Sequence, residues 1–254
     1  MCFELDSSPP IYKLQGASVN FKDVTLTSSD TTEFAAFYAE SDKPKGPAIV
    51  ILPDVRGLYR FYEELALRFA EHGYDAIAID YFGRTAGVSK RDDDFEFMQH
   101  VEQTKVEQVT SDVSTAINYL KNRDDHENRS IFTLGFCFGG SSSWLQAAGQ
   151  ESLSGAIGFY GHPTRANRDQ TPGPVHLVEN FKCSILALMG GADQGIPIEE
   201  INKFENALNN ANINNEIIIY DGAPHSFFDR KFKEFQNESD DSWSRVLAFI
   251  DKNA

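Results

Sequence analysis

Cysteine is scarce in this chain: three residues in 254, with three methionines and two tryptophans. Cys2, Cys137 and Cys183 are odd in number and far apart. That excludes a disulfide framework and any paired-cysteine metal site, and a reducing compartment would keep them as thiols. Long hydrophobic runs are also missing. None approaches the ~20 apolar residues of a membrane-spanning helix. The opening MCFELDSSPP has neither the basic start nor the apolar core of a signal peptide. A cytoplasmic protein is expected, with no membrane partner. Positive charge is the third shortage, 23 Lys and Arg against 38 Asp and Glu, for a formal net charge of −15. So acidic a surface would repel a phosphate backbone, which argues against nucleic acid as a partner. The run Asp92-Asp93-Asp94 reads as a solvated loop.

What is present is ordinary globular material, 41% hydrophobic and 24% charged. One α/β domain over 1–254 is expected, opened by an extended arm over 1–17 in which Pro9-Pro10 disfavours helix. Residues 19–26 and 33–39 read as an antiparallel hairpin. The pattern then changes. Continuous apolar runs at 48–52 and 75–81 suit strands buried on both faces. Phe61, Leu65, Leu67 and Phe69 recur at helical spacing before Gly73, predicting a helix over 61–72. Further helices are expected over 101–121, 138–149, 198–211 and 243–250, and strands over 131–136, 155–160, 184–189 and 216–220. Such alternation means a mainly parallel sheet with helices on both faces. Segments 83–94 and 162–180 lack patterning. They follow strands, where open α/β sheets bind ligands.

The strongest chemical signal is Gly135-Phe136-Cys137-Phe138-Gly139-Gly140, set between a predicted strand and a predicted helix. This is a nucleophile elbow, G-x-S-x-G, with cysteine in the serine position. The glycines allow a strained turn, and the helix that follows aims N–H groups at the sulfur, favouring thiolate and an adjacent oxyanion. A buried, inert cysteine is the plainer alternative, but it would need neither the glycines nor the strand-to-helix setting. A base and an orienting acid are expected to complete a triad. His225, in Ala223-Pro224-His225-Ser226-Phe227, follows the last predicted strand; Asp193, in Gly190-Gly191-Ala192-Asp193, follows the one before. Nucleophile, acid, histidine is the order of the α/β-hydrolase fold. Taken singly, His225 would pass for a surface histidine and Asp193 for a turn former. Of the other histidines, His72 falls at a helix end, His100 and His126 in polar stretches, and His162 and His176 bracket the unpatterned segment, where they either touch substrate or, by default, sit on a solvated loop. After the first central strand, Leu52-Pro53-Asp54-Val55-Arg56-Gly57 should supply an oxyanion N–H from Val55, with Phe138 giving the other. Asp54 is either a modulator of the thiol or a turn former. Arg84, after the next strand, is either an anion-binding group or a surface arginine.

These motifs, GFCFGG at Cys137, GGAD at Asp193 and HSF at His225, resemble the dienelactone hydrolase family of α/β-hydrolases over residues 18–252. The resemblance implies lactone or ester hydrolysis without metal or organic cofactor. In the family a glutamate after the first central strand meets the resting cysteine, and arginines hold the substrate carboxylate. This sequence departs at two of those places: Asp54 stands for the glutamate, and Asp229 for the arginine four residues past the histidine, followed by Arg230. Arg84 matches the other arginine. The expected protein is therefore a monomeric carboxylic-ester or lactone hydrolase acting through a thioacyl-enzyme, turning over neutral substrates at least as well as anionic ones. A catalytically inactive ligand binder or a redox-sensing thiol protein on the same fold are the alternatives.

Overall fold

The computed structural model describes residues 8–92, 94–123, 128–150 and 152–254. Cys2, His126 and Asp93 of the acidic run lie outside the described residues.

The all-apolar runs become strands with no solvated face. β3 (Ala48–Leu52) and β4 (Asp75–Ile79) are buried at every position. The hairpin forms from β1 (Val19–Thr27) and β2 (Glu33–Ser41), antiparallel, and β2 then pairs antiparallel with β4. The remaining strands are β5 (Ile131–Phe136), β6 (Leu153–Phe159), β7 (Ser184–Gly190) and β8 (Asn215–Tyr220). All eight form one sheet in the order β1-β2-β4-β3-β5-β6-β7-β8, parallel from β4 to β8. Because side chains alternate across a strand, β3 divides its apolar residues between two cores. Ile49 and Ile51 pack in the cluster holding Phe61, Leu65 and Phe69 of α1 (Arg60–Glu71). Ala48, Val50 and Leu52 pack with Val109, Val113, Ile117 and Leu120 of α4 (Val106–Lys121). α1 ends where Gly73, at φ 94°, lets Tyr74 N–H reach back to the Phe69 carbonyl at 3.0 Å.

Two helical expectations change. The helix expected over 101–121 is broken: a single turn, α3 (Met98–Val101), precedes α4, with 102–105 between them. There Thr104 Oγ1 donates to the His100 carbonyl at 3.0 Å and Gln103 Nε2 to the Gln99 carbonyl at 2.8 Å. Such local bonds compete with helix continuation. The closing helix is longer than expected, α7 (Gln236–Asn253), because its first turns bury Ser239 and Ser242 rather than apolar residues. Within segment 83–94, residues Gly83–Ala86 form the short turn α2. The other helices are α5 (Phe138–Gly149) and α6 (Ile198–Asn210). Among the described residues no helix is long and apolar enough to cross a membrane.

Candidate active site

Cys137 joins the C-terminal end of β5 to the first turn of α5 at φ 56° and ψ −112°, a conformation costly for any residue but glycine. Neighbouring bonds hold it there. Its N–H donates to the Phe159 carbonyl at 3.0 Å, and its carbonyl accepts from Gly140 and Ser141 N–H at 3.1 and 3.2 Å. The tight crossing explains the flanking glycines. A Cβ on Gly135 would sit 2.0 Å from the Gly139 carbonyl oxygen, and one on Gly139 would sit 2.1 Å from that of Leu52. Phe138 is the first residue of α5, so its N–H has no partner within the helix.

Asp193 lies in the turn after β7 and His225 in the turn after β8. Asp193 Oδ1 accepts the Gly195 N–H at 2.8 Å, while Oδ2 is 2.6 Å from His225 Nδ1. The Asp193 side chain is 3% exposed and that of His225 is 34% exposed, so the carboxylate is shielded while the imidazole meets the cavity. A carboxylate at Nδ1 calls for a proton on that nitrogen, which leaves the Nε2 lone pair as the base. Immediately past the histidine, Ser226 has φ 65°, and Phe227 and Phe228 are fully buried. These rings pack against Tyr160 and Phe159, which anchors the histidine turn to the core.

Cys137, His225 and Asp193 line one open cavity of about 630 Å³, together with Val55 and Phe138. The loop holding Val55 is shaped by Asp54, which is fully buried and does not line the cavity. Asp54 Oδ1 accepts the Arg56 N–H at 2.9 Å, its carbonyl accepts the Gly57 N–H at 3.1 Å, and its own N–H donates to Tyr62 Oη at 2.9 Å. Through Oδ1, Asp54 thus shapes the turn that carries Val55.

Arg84 requires a correction. It is absent from the cavity wall, and its guanidinium is held by Asp112 at 2.7 and 2.8 Å and by Asp30 at 2.7 and 3.1 Å. The bidentate pair with buried Asp112 fastens α2 to α4, and the pair with Asp30 fastens it to the hairpin turn. Asp229 is likewise buried rather than substrate-facing. Cations reach the cavity by another route, through Arg165 and Arg168 of the unpatterned segment and Arg230 and Lys231 beyond the histidine. Among the described residues the only carboxylate lining the cavity is that of Asp193, already bonded to His225. His162 also lines the wall; its Nδ1 accepts the Arg165 N–H at 3.1 Å, and burial beside Arg165 holds it below the usual imidazole pKa. His176 is not part of the wall. Sequence reading missed Arg165, Arg168 and Tyr160, none of which carries a motif.

The sequence matches the dienelactone hydrolase family model over residues 34–253. This chain belongs to the dienelactone hydrolase family. It is 29% identical to a carboxymethylenebutenolidase of Rhodococcus opacus, an alignment covering 99% of this chain and 97% of the relative. Its fold is similar to that of a Klebsiella pneumoniae protein provisionally described as a dienelactone hydrolase, with TM-score 0.80 and 24% identity over 92% of this chain and 98% of the other. It is also similar to a dienelactone hydrolase-like promiscuous phosphotriesterase from metagenomic libraries, with TM-score 0.75 and 18% identity over 94% and 99% of the two chains. Within this family the chain is a hydrolase on the α/β-hydrolase fold.

Proposed function

We propose that this dienelactone hydrolase-family protein cleaves carboxylic esters and lactones through a thioacyl-enzyme on Cys137. One observation carries the reading: a cysteine held at a strained helix N-terminus shares a cavity with a histidine whose Nδ1 is 2.6 Å from a buried carboxylate. In the proposed sequence His225 Nε2 takes the Cys137 thiol proton as sulfur attacks the carbonyl carbon. The N–H groups of Val55 and Phe138 meet the oxyanion, each donor worth about 3 kcal/mol in comparable sites. The imidazolium then protonates the departing alkoxide. Water, deprotonated by the same nitrogen, attacks the thioester and releases the acid with the thiol restored. The redox-sensor and inactive-binder alternatives have no observation in their favour. Cys183, the other described cysteine, is half-buried and its thiol is pushed up to about 12 by desolvation, which makes it a poor resolving partner.

The expectation that neutral substrates are turned over at least as well as anionic ones rested on Arg84 and Asp229, and neither lines the cavity. The rim of Arg165, Arg168, Arg230 and Lys231 instead favours a substrate that carries a carboxylate beside its ester or lactone. The name of the Rhodococcus opacus relative points the same way.

The test is hydrolysis of a chromogenic short-chain ester and of a lactone with and without a carboxylate. Cys137→Ala should abolish turnover of all three, and Cys183→Ala should leave it unchanged. Asp193→Asn should lower kcat by two or more orders of magnitude through the wrong imidazole tautomer, as in related triads (about 10⁴). Retention of more than about one-hundredth of kcat by Cys137→Ala would end the assignment.

A further inference from the structure

Tyr160, the residue after β6, is fully buried and held at φ 37°, a left-handed conformation unfavourable for an aromatic residue. Its N–H donates to the Leu188 carbonyl at 2.9 Å. Its ring lies against the His225 imidazole, with centroids 4.8 Å apart and planes inclined by 57°. Its hydroxyl donates to Asp229 Oδ2 at 2.7 Å, and Asp229 Oδ1 accepts the Arg230 N–H. Asp229 is 1% exposed. A buried carboxylate thus bonds a ring packed at a tilt against the His225 imidazole, while Asp193 bonds Nδ1 of the same imidazole.

We propose that Asp229 is a positioning residue for His225, acting through Tyr160: its carboxylate, when ionised, fixes the tyrosine and strengthens its hold on the imidazolium formed during acylation. This deepens the triad reading and rests on it. An ionised acceptor polarises the tyrosine O–H and enriches the ring facing the cation. The surrounding low dielectric lets the negative charge act across the short span to His225. Protonated, Asp229 does neither. No proton leaves Tyr160; the imidazolium it faces forms when the Cys137 Sγ proton passes to His225 Nε2, and it loses that proton to the departing alkoxide. Among the described residues, the groups facing Asp229 are Tyr160, Asp54 from the loop after β3, and His225 and Arg230 of its own loop, with Tyr12 and Lys233 lining the crevice on its other side. Burial, with the negative charge of Asp54 adding to it, pushes the Asp229 carboxyl up to about 8, while the Tyr160 and Arg230 bonds and His225 pull against the rise. The switch between the two forms therefore falls inside the range where catalysis is measured.

The experiment follows kcat and KM for a neutral chromogenic ester from about pH 6 to about pH 9 at constant ionic strength, with wild type, Asp229→Asn and Tyr160→Phe. The His225 imidazole is titrated by NMR on the same proteins. The ratio of wild-type to Asp229→Asn kcat should grow about tenfold from the acid to the alkaline end, a barrier change of about 1.4 kcal/mol. KM should stay level, and Tyr160→Phe should flatten the same rise. The wild-type His225 resonance should show a second inflection that Asp229→Asn loses. A purely structural role lowers kcat by one factor at every pH, and a constant ratio overturns the proposal. If Asp229→Asn does not fold, the ratio of wild-type to Tyr160→Phe kcat is read across the same pH range in its place, and its constancy is equally fatal. Absence of turnover in wild type defeats the hydrolase reading, whereas the NMR titration still decides whether Asp229 governs His225.

Discussion

At the scale of single residues, Asp229 is a group whose chemistry differs between folded and unfolded chain across the working pH range. Its carboxyl stands at about 8 in the fold, against about 3.9 for an ordinary aspartate. Below about pH 4 both states hold the proton and nothing is lost. As pH rises from about 4 to about 8 the unfolded chain releases its proton and the folded chain keeps it, so stability falls across that window and levels off above it. Asp229→Asn removes the slope. In urea melts, the stability of the variant minus that of wild type should therefore increase steadily between about pH 4 and about pH 8, by at most about 5 kcal/mol at roughly 1.4 kcal/mol per unit. A difference independent of pH would show that Asp229 ionises normally in the fold. The sequence marked Asp229 as standing in place of a family arginine but not as a buried group: an aspartate four positions after a histidine looks the same whether buried or solvated, and only the crossing of the β6 and β8 loops makes it a partner of Tyr160. Cys137, Asp193 and His225 were legible because each sits in a short motif immediately after its own strand, and parallel strands deliver such positions to one edge of the sheet. Arg84 was misread for the converse reason. Its register matches a family position, but Asp30 and Asp112, distant in sequence, claim its guanidinium.

Between elements, the informative contact joins the loop that lines the cavity to the start of a core helix. α4 begins at Val106 with no side-chain cap of its own, and the Val106 N–H instead donates to Asp169 Oδ2 at 2.7 Å. Asp169 Oδ1 also accepts the Thr171 N–H at 3.0 Å, and these bonds hold its carboxyl below the usual range. One carboxylate thus caps α4 and fixes the segment carrying Arg165 and Arg168. Asp169→Ala should cost about 1 kcal/mol of stability, the usual value of a lost helix cap. Its larger effect should be on binding, with KM for a carboxylated lactone rising several-fold and KM for a neutral ester little changed, since Cys137 and His225 stand on other loops. Equal changes for both substrates would mean that the loop positions the triad rather than the rim. Sequence periodicity could not find this junction, because the cap comes from 63 residues away. It hid the start of α7 for a related reason. Ser239 and Ser242 form the buried face there by donating to backbone carbonyls, Ser239 to Phe227 and Phe235 and Ser242 to Glu238, so the helix begins without an apolar signal.

Over the whole molecule, charge is divided unevenly. A chain of formal net charge −15 turns Arg165, Arg168, Arg230 and Lys231 toward the cavity that holds Cys137. The two fields act over different distances. At about 0.1 M salt the Debye length is about 10 Å, so a substrate at the cavity mouth is within reach of the rim cations while most of the acidic surface is screened. Three of the four, Arg165, Arg168 and Arg230, are exposed, and Lys231 is half-buried with its ammonium 2.9 Å from Glu234. Their attraction should therefore be weakened by added salt rather than protected by burial. Raising ionic strength from about 0.1 M to about 1 M shortens the screening length to about 3 Å. Over that range kcat/KM for a carboxylated lactone should fall several-fold, mostly in KM, while kcat/KM for its neutral analogue stays level. The double substitution Arg165→Ala, Arg168→Ala should remove most of the difference between the two substrates and most of the salt dependence together. A salt-insensitive preference for the anion that survives both substitutions would place the carboxylate against Arg230 or a neutral donor deeper in the cavity, such as His162. The unpatterned segment after β6 would then serve to shape the wall rather than to choose the substrate's charge.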